Sequence, residues 1–155
     1  PLGLHPGHTS SILRIEGAML SYHADMTLAE NPYELGLGRL VDLSMNADFL
    51  SQSALTQIKD RGVQRLLVGL EISGPPIAGS NDTRWPVMVD ERPVGFVTSA
   101  VYSPRLEKNI ALAMMPVEYA SVGTHAAVEM ATGTRGCTVV PKPFYDPKKA
   151  LAARG

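Results

Sequence analysis

The chain has 155 residues, 14 basic and 15 acidic side chains, a net charge of -1 and 45% hydrophobic content, the size of one domain or of one domain carrying a piece of another. A balance so close to neutral supplies no field to hold a polyanion, so nucleic acid is not an expected partner and a small molecule is. No run of about 18 apolar residues is present to span a bilayer as a helix, so no membrane span is expected.

The opening Pro1-Leu2-Gly3-Leu4-His5-Pro6-Gly7-His8 has neither a helix nor a strand period and reads as the start of an excised or incomplete chain. His5 and His8 have a chelating spacing, but nothing nearby completes the three or four ligands a metal site needs, so no metal is expected. From Thr9 to about Met19, hydroxyl residues that can cap free amides precede Ile12, Leu13, Ile15 and Met19, spaced for one buried helix face. Arg14 flanks that face. Its rigid fork suits carboxylates and planar heteroatom edges, and the residues leave it open between a ligand contact and an ion pair with Glu16 or Glu34.

Leu20 to Asp42 carries Pro32, Gly36 and Gly38, which predicts an extended, turning segment packed against something else. The Gly36-Leu37-Gly38 pair lacks the strand, third glycine and following helix of a dinucleotide fingerprint. Tyr22 and Trp85 are amphipathic aromatics that either line a ligand site or fill a core. Ser51 is expected to cap a second helix running to Arg61, with Ala54, Leu55 and Ile58 on one side and Gly62 as its stop.

Past Gly62 the period becomes two, with Leu66, Val68, Leu70 and Ile72 on the core side. Strand segments follow at roughly Trp85 to Asp90, Val94 to Val101, Asn109 to Met115, Thr124 to Met130 and Arg135 to Val140, at intervals typical of a barrel or sandwich. Asn81-Asp82-Thr83 matches a glycosylation acceptor but reads as a turn. Cys137, the only cysteine, sits in a strand pattern as a small core residue, while His23 and His125 each stand alone. A lone cysteine forms no intrachain disulfide and, with no signal-peptide pattern, fits a reducing cytoplasm. The expected class is α+β, a short helical segment followed by an antiparallel β-barrel, with units at 1–62 and 63–146 and a tail at 147–155.

Arg14-Ile15-Glu16-Gly17, Tyr22, the run Asn31-Pro32-Tyr33-Glu34-Leu35-Gly36-Leu37-Gly38 and Asp48-Phe49 together resemble the glycine-cleavage T-protein superfamily. That family has an arginine–hydrophobic–glutamate helix, a tyrosine soon after, a Pro-x-Glu-x-Gly-Leu segment and an Asp-Phe opening to the next helix. Val68-Gly69-Leu70-Glu71, Val94 to Ser99, Ser103-Pro104 and Lys108 to Ala113 resemble its C-terminal domain. Where the family tyrosine is normally followed by Gly-His-Glu, this chain has Tyr22-His23-Ala24-Asp25. With Ser99 to Leu106 and Lys142 to Lys149, that departure resembles the dimethylsulfoniopropionate demethylase branch.

The resemblance implies the end of a folate-binding domain followed by a distorted jelly-roll barrel. Tetrahydrofolate would be the one-carbon acceptor, with Arg14, Tyr22 and Glu34 matching family positions at or near the folate. It implies transfer of a methyl group from a sulfonium donor such as dimethylsulfoniopropionate to tetrahydrofolate. The alternative is an aminomethyltransferase of the glycine cleavage system, which takes its group from a lipoyl carrier protein and gives methylene-tetrahydrofolate and ammonia. A third reading is a non-catalytic binding module, and a homodimer is compatible with all three. The family's acidic residue beside the reacting folate nitrogens lies upstream of these residues, so no catalytic residue is expected here and this stretch alone should be inactive.

Overall fold

The computed structural model describes residues 10–45, 48–148 and 150. Six strands, β1 (Arg65–Ile72), β2 (Trp85–Val89), β3 (Arg92–Ser103), β4 (Lys108–Pro116), β5 (His125–Met130) and β6 (Gly133–Val140), coincide with the period-two segments of the sequence. They close into an antiparallel barrel in the order β1-β4-β3-β2-β5-β6. β1 pairs with both β4 and β6, and closure leaves no unpaired edge.

Alternation along each strand separates two apolar layers. Val68, Leu70 and Ile72 of β1 meet Ala111, Ala113 and Met115 of β4 inside the barrel, with Cys137 and Val139 of β6 and the partly buried Trp85. The opposite residues, Leu67 of β1 and Leu112 and Met114 of β4, are buried too, beneath Leu35, Leu20, Met26 and Leu37 of the preceding segment. One wall of the barrel is therefore apolar on both faces. Gly95 permits the close approach of β3 to β4, since a Cβ there would run into the Met114 carbonyl.

The first helix, α1 (Ser11–Glu16), is shorter than the sequence period suggests. Ser10 caps it, accepting from Leu13 N–H at 3.4 Å. Its end is a Schellman turn in which Ala18 N–H donates to Ile15 O and Met19 N–H to Arg14 O, both at 2.9 Å, with Ala18 left-handed at φ 51°. Stopping there buries Ile15 against Val101 and Ile110 but leaves Leu13 and Met19 exposed, contrary to the face the spacing predicts.

The second helix, α2 (Gln52–Arg61), also departs from expectation. Ser51 makes no side-chain cap bond and sits at φ 79°, and no residue of the helix is buried. Ala54 is exposed and Leu55 and Ile58 only half-buried, because the barrel does not extend beneath this helix. Gly62 ends it as predicted, at φ 77°.

Two of the connections are held by asparagine side chains. Asn81 Oδ1 accepts from Ala100 N–H at 2.7 Å and its Nδ2 donates to Thr83 O at 3.0 Å, so the acceptor triplet is a turn with its amide in use. Asn109, buried, holds the chain after β1 by accepting from Ile77 N–H at 2.9 Å. Among the described residues no helix is long and apolar enough to cross a membrane.

Candidate functional site

The densest polar arrangement lies where the segment after α1 crosses the outer wall of β3 and β4, and its centre is Asp25. This carboxylate is buried, at 2% exposure, and each of its oxygens accepts two hydrogen bonds. Oδ2 takes Arg14 Nη1–H at 2.5 Å and Ser21 N–H at 2.9 Å. Oδ1 takes the hydroxyls of Thr98 and Ser99, both at 2.6 Å. Four donors, one of them cationic, offset the cost of removing a carboxylate from water.

A β-bulge makes this possible. Val97 pairs with Ala113 but Ser99 pairs with Leu112, leaving Thr98 as an extra residue in β3. In a regular strand two consecutive side chains point to opposite faces. The inserted residue lets Thr98 and Ser99 both reach one carboxylate.

Arg14 is anchored by the same group. Besides Asp25, its Nη1 donates to Met19 O at 3.0 Å and its Nη2 to Ser99 Oγ at 2.9 Å. A guanidinium carries five N–H donors. With three used, one on Nη2 and the one on Nε have no acceptor among the described residues, and the side chain is 19% exposed. The ion pair is with Asp25, and neither Glu16 nor Glu34 takes part.

Tyr22 follows Ser21 directly, so it belongs to the loop that wraps Asp25. It is 50% exposed, with its ring edge-on to His23 at 4.3 Å, and it does not fill a core. Lys142 completes the surroundings on the other side, close enough to Gly36 that a Cβ there would lie 3.5 Å from Nζ. Burial pushes the Lys142 ammonium below its ordinary value, and the Asp25 carboxylate pulls it back up.

Glu34 stands apart from this group. It is 9% exposed, accepts from Asn31 N–H at 3.0 Å and pairs with Arg65 Nε at 2.9 Å, which fastens the segment to the start of β1. Glu16 does similar work at the other end, accepting from the Ser103 hydroxyl at 2.6 Å and pairing with Arg105. The structure thus pairs Arg14 with Asp25, puts Tyr22 in the loop around that carboxylate and places Glu34 in a separate network. Asp25, Thr98 and Ser99 were not legible as site residues. The only sequence signal was an acid three positions after the tyrosine.

Among the described residues no group of three or more His, Cys, Asp or Glu side chains is disposed to hold a metal, and His5 and His8 lie outside them. His125 is exposed, with Nδ1 3.2 Å from the Thr138 hydroxyl.

Residues 65–146 match the glycine cleavage T-protein C-terminal barrel domain. The chain is 43% identical over 145 residues to an aminomethyltransferase of Synechococcus sp. (strain CC9902), a match covering 94% of the chain and 38% of that protein. It is 41% identical to an aminomethyltransferase of Prochlorococcus marinus (strain MIT 9313), covering 94% and 37%. The crystal structure of glycine cleavage system aminomethyltransferase T from Bartonella henselae shares the fold at a TM-score of 0.79 and 22% identity, over 88% of this chain and 38% of that one. The chain therefore spans about 38% of the length of the curated relatives it matches.

Proposed function

The chain belongs to the glycine cleavage T-protein family through its C-terminal barrel domain, and from that membership we propose that it forms the C-terminal part of a tetrahydrofolate-dependent aminomethyltransferase. The relatives carry that name at 41–43% identity, and they lend no support to the demethylase branch. One geometric observation carries the reading: a guanidinium locked by a buried carboxylate at 2.5 Å keeps two N–H groups without an acceptor among the described residues, and the loop that wraps that carboxylate carries a half-exposed tyrosine.

Such a ledge suits tetrahydrofolate. Two spare donors on a planar cation recognise a carboxylate or a heterocycle edge, and an exposed phenol ring offers an aromatic face. In this reading Arg14 and Tyr22 bind and orient the folate, while Glu34 secures the segment they stand on. Alignment of the reacting groups can remove about 7–11 kcal/mol of barrier when the geometry is near attack. Tetrahydrofolate supplies the nitrogens that take up the one-carbon unit, and an aminomethyl donor on a lipoyl carrier gives methylene-tetrahydrofolate and ammonia.

Asp25 in place of the family's usual glutamate, with His23-Ala24 before it, favours a second reading in which the donor is a sulfonium such as dimethylsulfoniopropionate. Supplying the whole protein and tetrahydrofolate with each donor separates the two. Methylene-tetrahydrofolate formed only with the aminomethylated lipoyl carrier is the expected result. Methyl-tetrahydrofolate formed from the sulfonium, with no dependence on a carrier, would replace it by the second reading.

A further inference from the structure

Asp25 has no free oxygen lone pair directed at a ligand, since all four of its close donors come from the protein, yet it is the group that fixes Arg14. The contacts divide the guanidinium into two sides. Nη1 is spent on Asp25 and Met19 O, Nη2 gives one proton to Ser99, and Nε with the remaining Nη2 proton has no acceptor among the described residues. Ser99 closes the arrangement by accepting from Arg14 and donating to Asp25.

A long side chain with several rotatable bonds loses rotamer freedom when a ligand fixes it. Here that freedom is already lost before any ligand arrives. Resting on the folate reading above, we propose that Asp25 is a positioning residue for Arg14, and that the β3 bulge at Thr98 couples the barrel to the ligand-binding segment by supplying Ser99 to both. Asp25 binds no folate itself. It acts by presenting the free Nε and Nη2 donors of Arg14 in the orientation a carboxylate or heterocycle edge requires.

Thr98 and Ser99 provide an internal comparison. Both donate to Asp25 at 2.6 Å, but only Ser99 also touches Arg14. A purely structural role for the carboxylate predicts that losing either hydroxyl has the same consequence for ligand affinity. A positioning role predicts that they differ.

The test is a tetrahydrofolate titration of the whole protein with Arg14→Ala, Asp25→Asn and the double variant, and with Ser99→Ala and Thr98→Val. Arg14→Ala and Asp25→Asn are each expected to raise the dissociation constant about ten-fold or more, with the double variant no weaker than Arg14→Ala alone. Ser99→Ala should raise it about three-fold or more, and Thr98→Val, which takes a hydroxyl from Asp25 but none from Arg14, should raise it less at a matched stability loss. If Arg14→Ala weakens binding but Asp25→Asn and Ser99→Ala do not, or if the effects of Arg14 and Asp25 multiply, the positioning role is overturned while the folate reading stands. An unchanged constant for Arg14→Ala would overturn the folate assignment of Arg14 itself. Should Asp25→Asn fail to fold, the Ser99→Ala and Thr98→Val pair decides the matter alone.

Discussion

At position 23 the backbone takes φ 72°, the left-handed region that glycine enters freely and other residues enter at about 1–2 kcal/mol. The T-protein pattern has glycine there, and histidine is among the residues that tolerate this conformation best. His23 offsets the cost locally, donating its N–H to Met26 O at 2.8 Å and meeting the Tyr22 ring edge-on. The loop around Asp25 therefore keeps a glycine-like geometry with a different residue. Inside the barrel, burial pushes the Cys137 thiol up to about 11 from 9.0. A folded thiol with a raised value holds its proton more tightly than the unfolded one, so the associated stability is complete below pH 9 and is lost as pH rises towards 11. Urea unfolding of the parent and of Cys137→Ala should differ in slope across that window, the parent losing on the order of 2 kcal/mol more. Parallel pH profiles for the two proteins would show that this thiol makes no contribution.

Among the elements, the helices differ most in how they are held. α1 is tied by Ile15 in an apolar cluster, by Arg14 to Asp25 and Ser99, by Glu16 to Ser103, and by the Glu16 carbonyl, which accepts from Phe144 N–H at 2.9 Å. α2 has no buried residue. Local opening should follow this difference, because exposed elements with little buried apolar area open at small free-energy cost. Amide hydrogens of α2 are expected to exchange about 100-fold or more faster than those of β4 in the same chain, as measured by hydrogen–deuterium exchange. Comparable protection in both would mean that α2 is held by contacts other than the ones described. Both helices were legible in the sequence from spacing and Gly62. Which faces they bury was not, because that depends on where the barrel wall ends.

For the molecule as a whole, the segment after β6 acts as a clasp. Phe144 packs beneath both outer apolar clusters and against Gly69, where a Cβ would lie only 3.0 Å from its ring. It therefore joins α1, the loop after it and the barrel wall. Phe144→Ala is expected to cost about 2–3 kcal/mol, below the usual range for a fully buried phenylalanine because the ring is only half-buried. The urea midpoint should fall with an unchanged slope. A midpoint within error of the parent would show that the clasp is dispensable. The sequence marked Phe144 only as part of a closing segment, since nothing in local periodicity pairs residue 144 with residue 69.

The six strands, the inward face of β1 and the resemblance to the T-protein family were all determined by the sequence, because alternation is a local property that survives without knowledge of partners. Arg14 and Tyr22 were marked as candidates because they stand in short motifs. Only the tertiary structure decided that Arg14 pairs with Asp25 rather than Glu16 or Glu34, and that Thr98 and Ser99 share one carboxylate. The Arg14 pair lies within one segment, but the Thr98 and Ser99 hydroxyls reach Asp25 from more than 70 positions away through a one-residue bulge in β3. A bulge reverses the side-chain alternation beyond it without leaving a mark in the hydrophobic pattern.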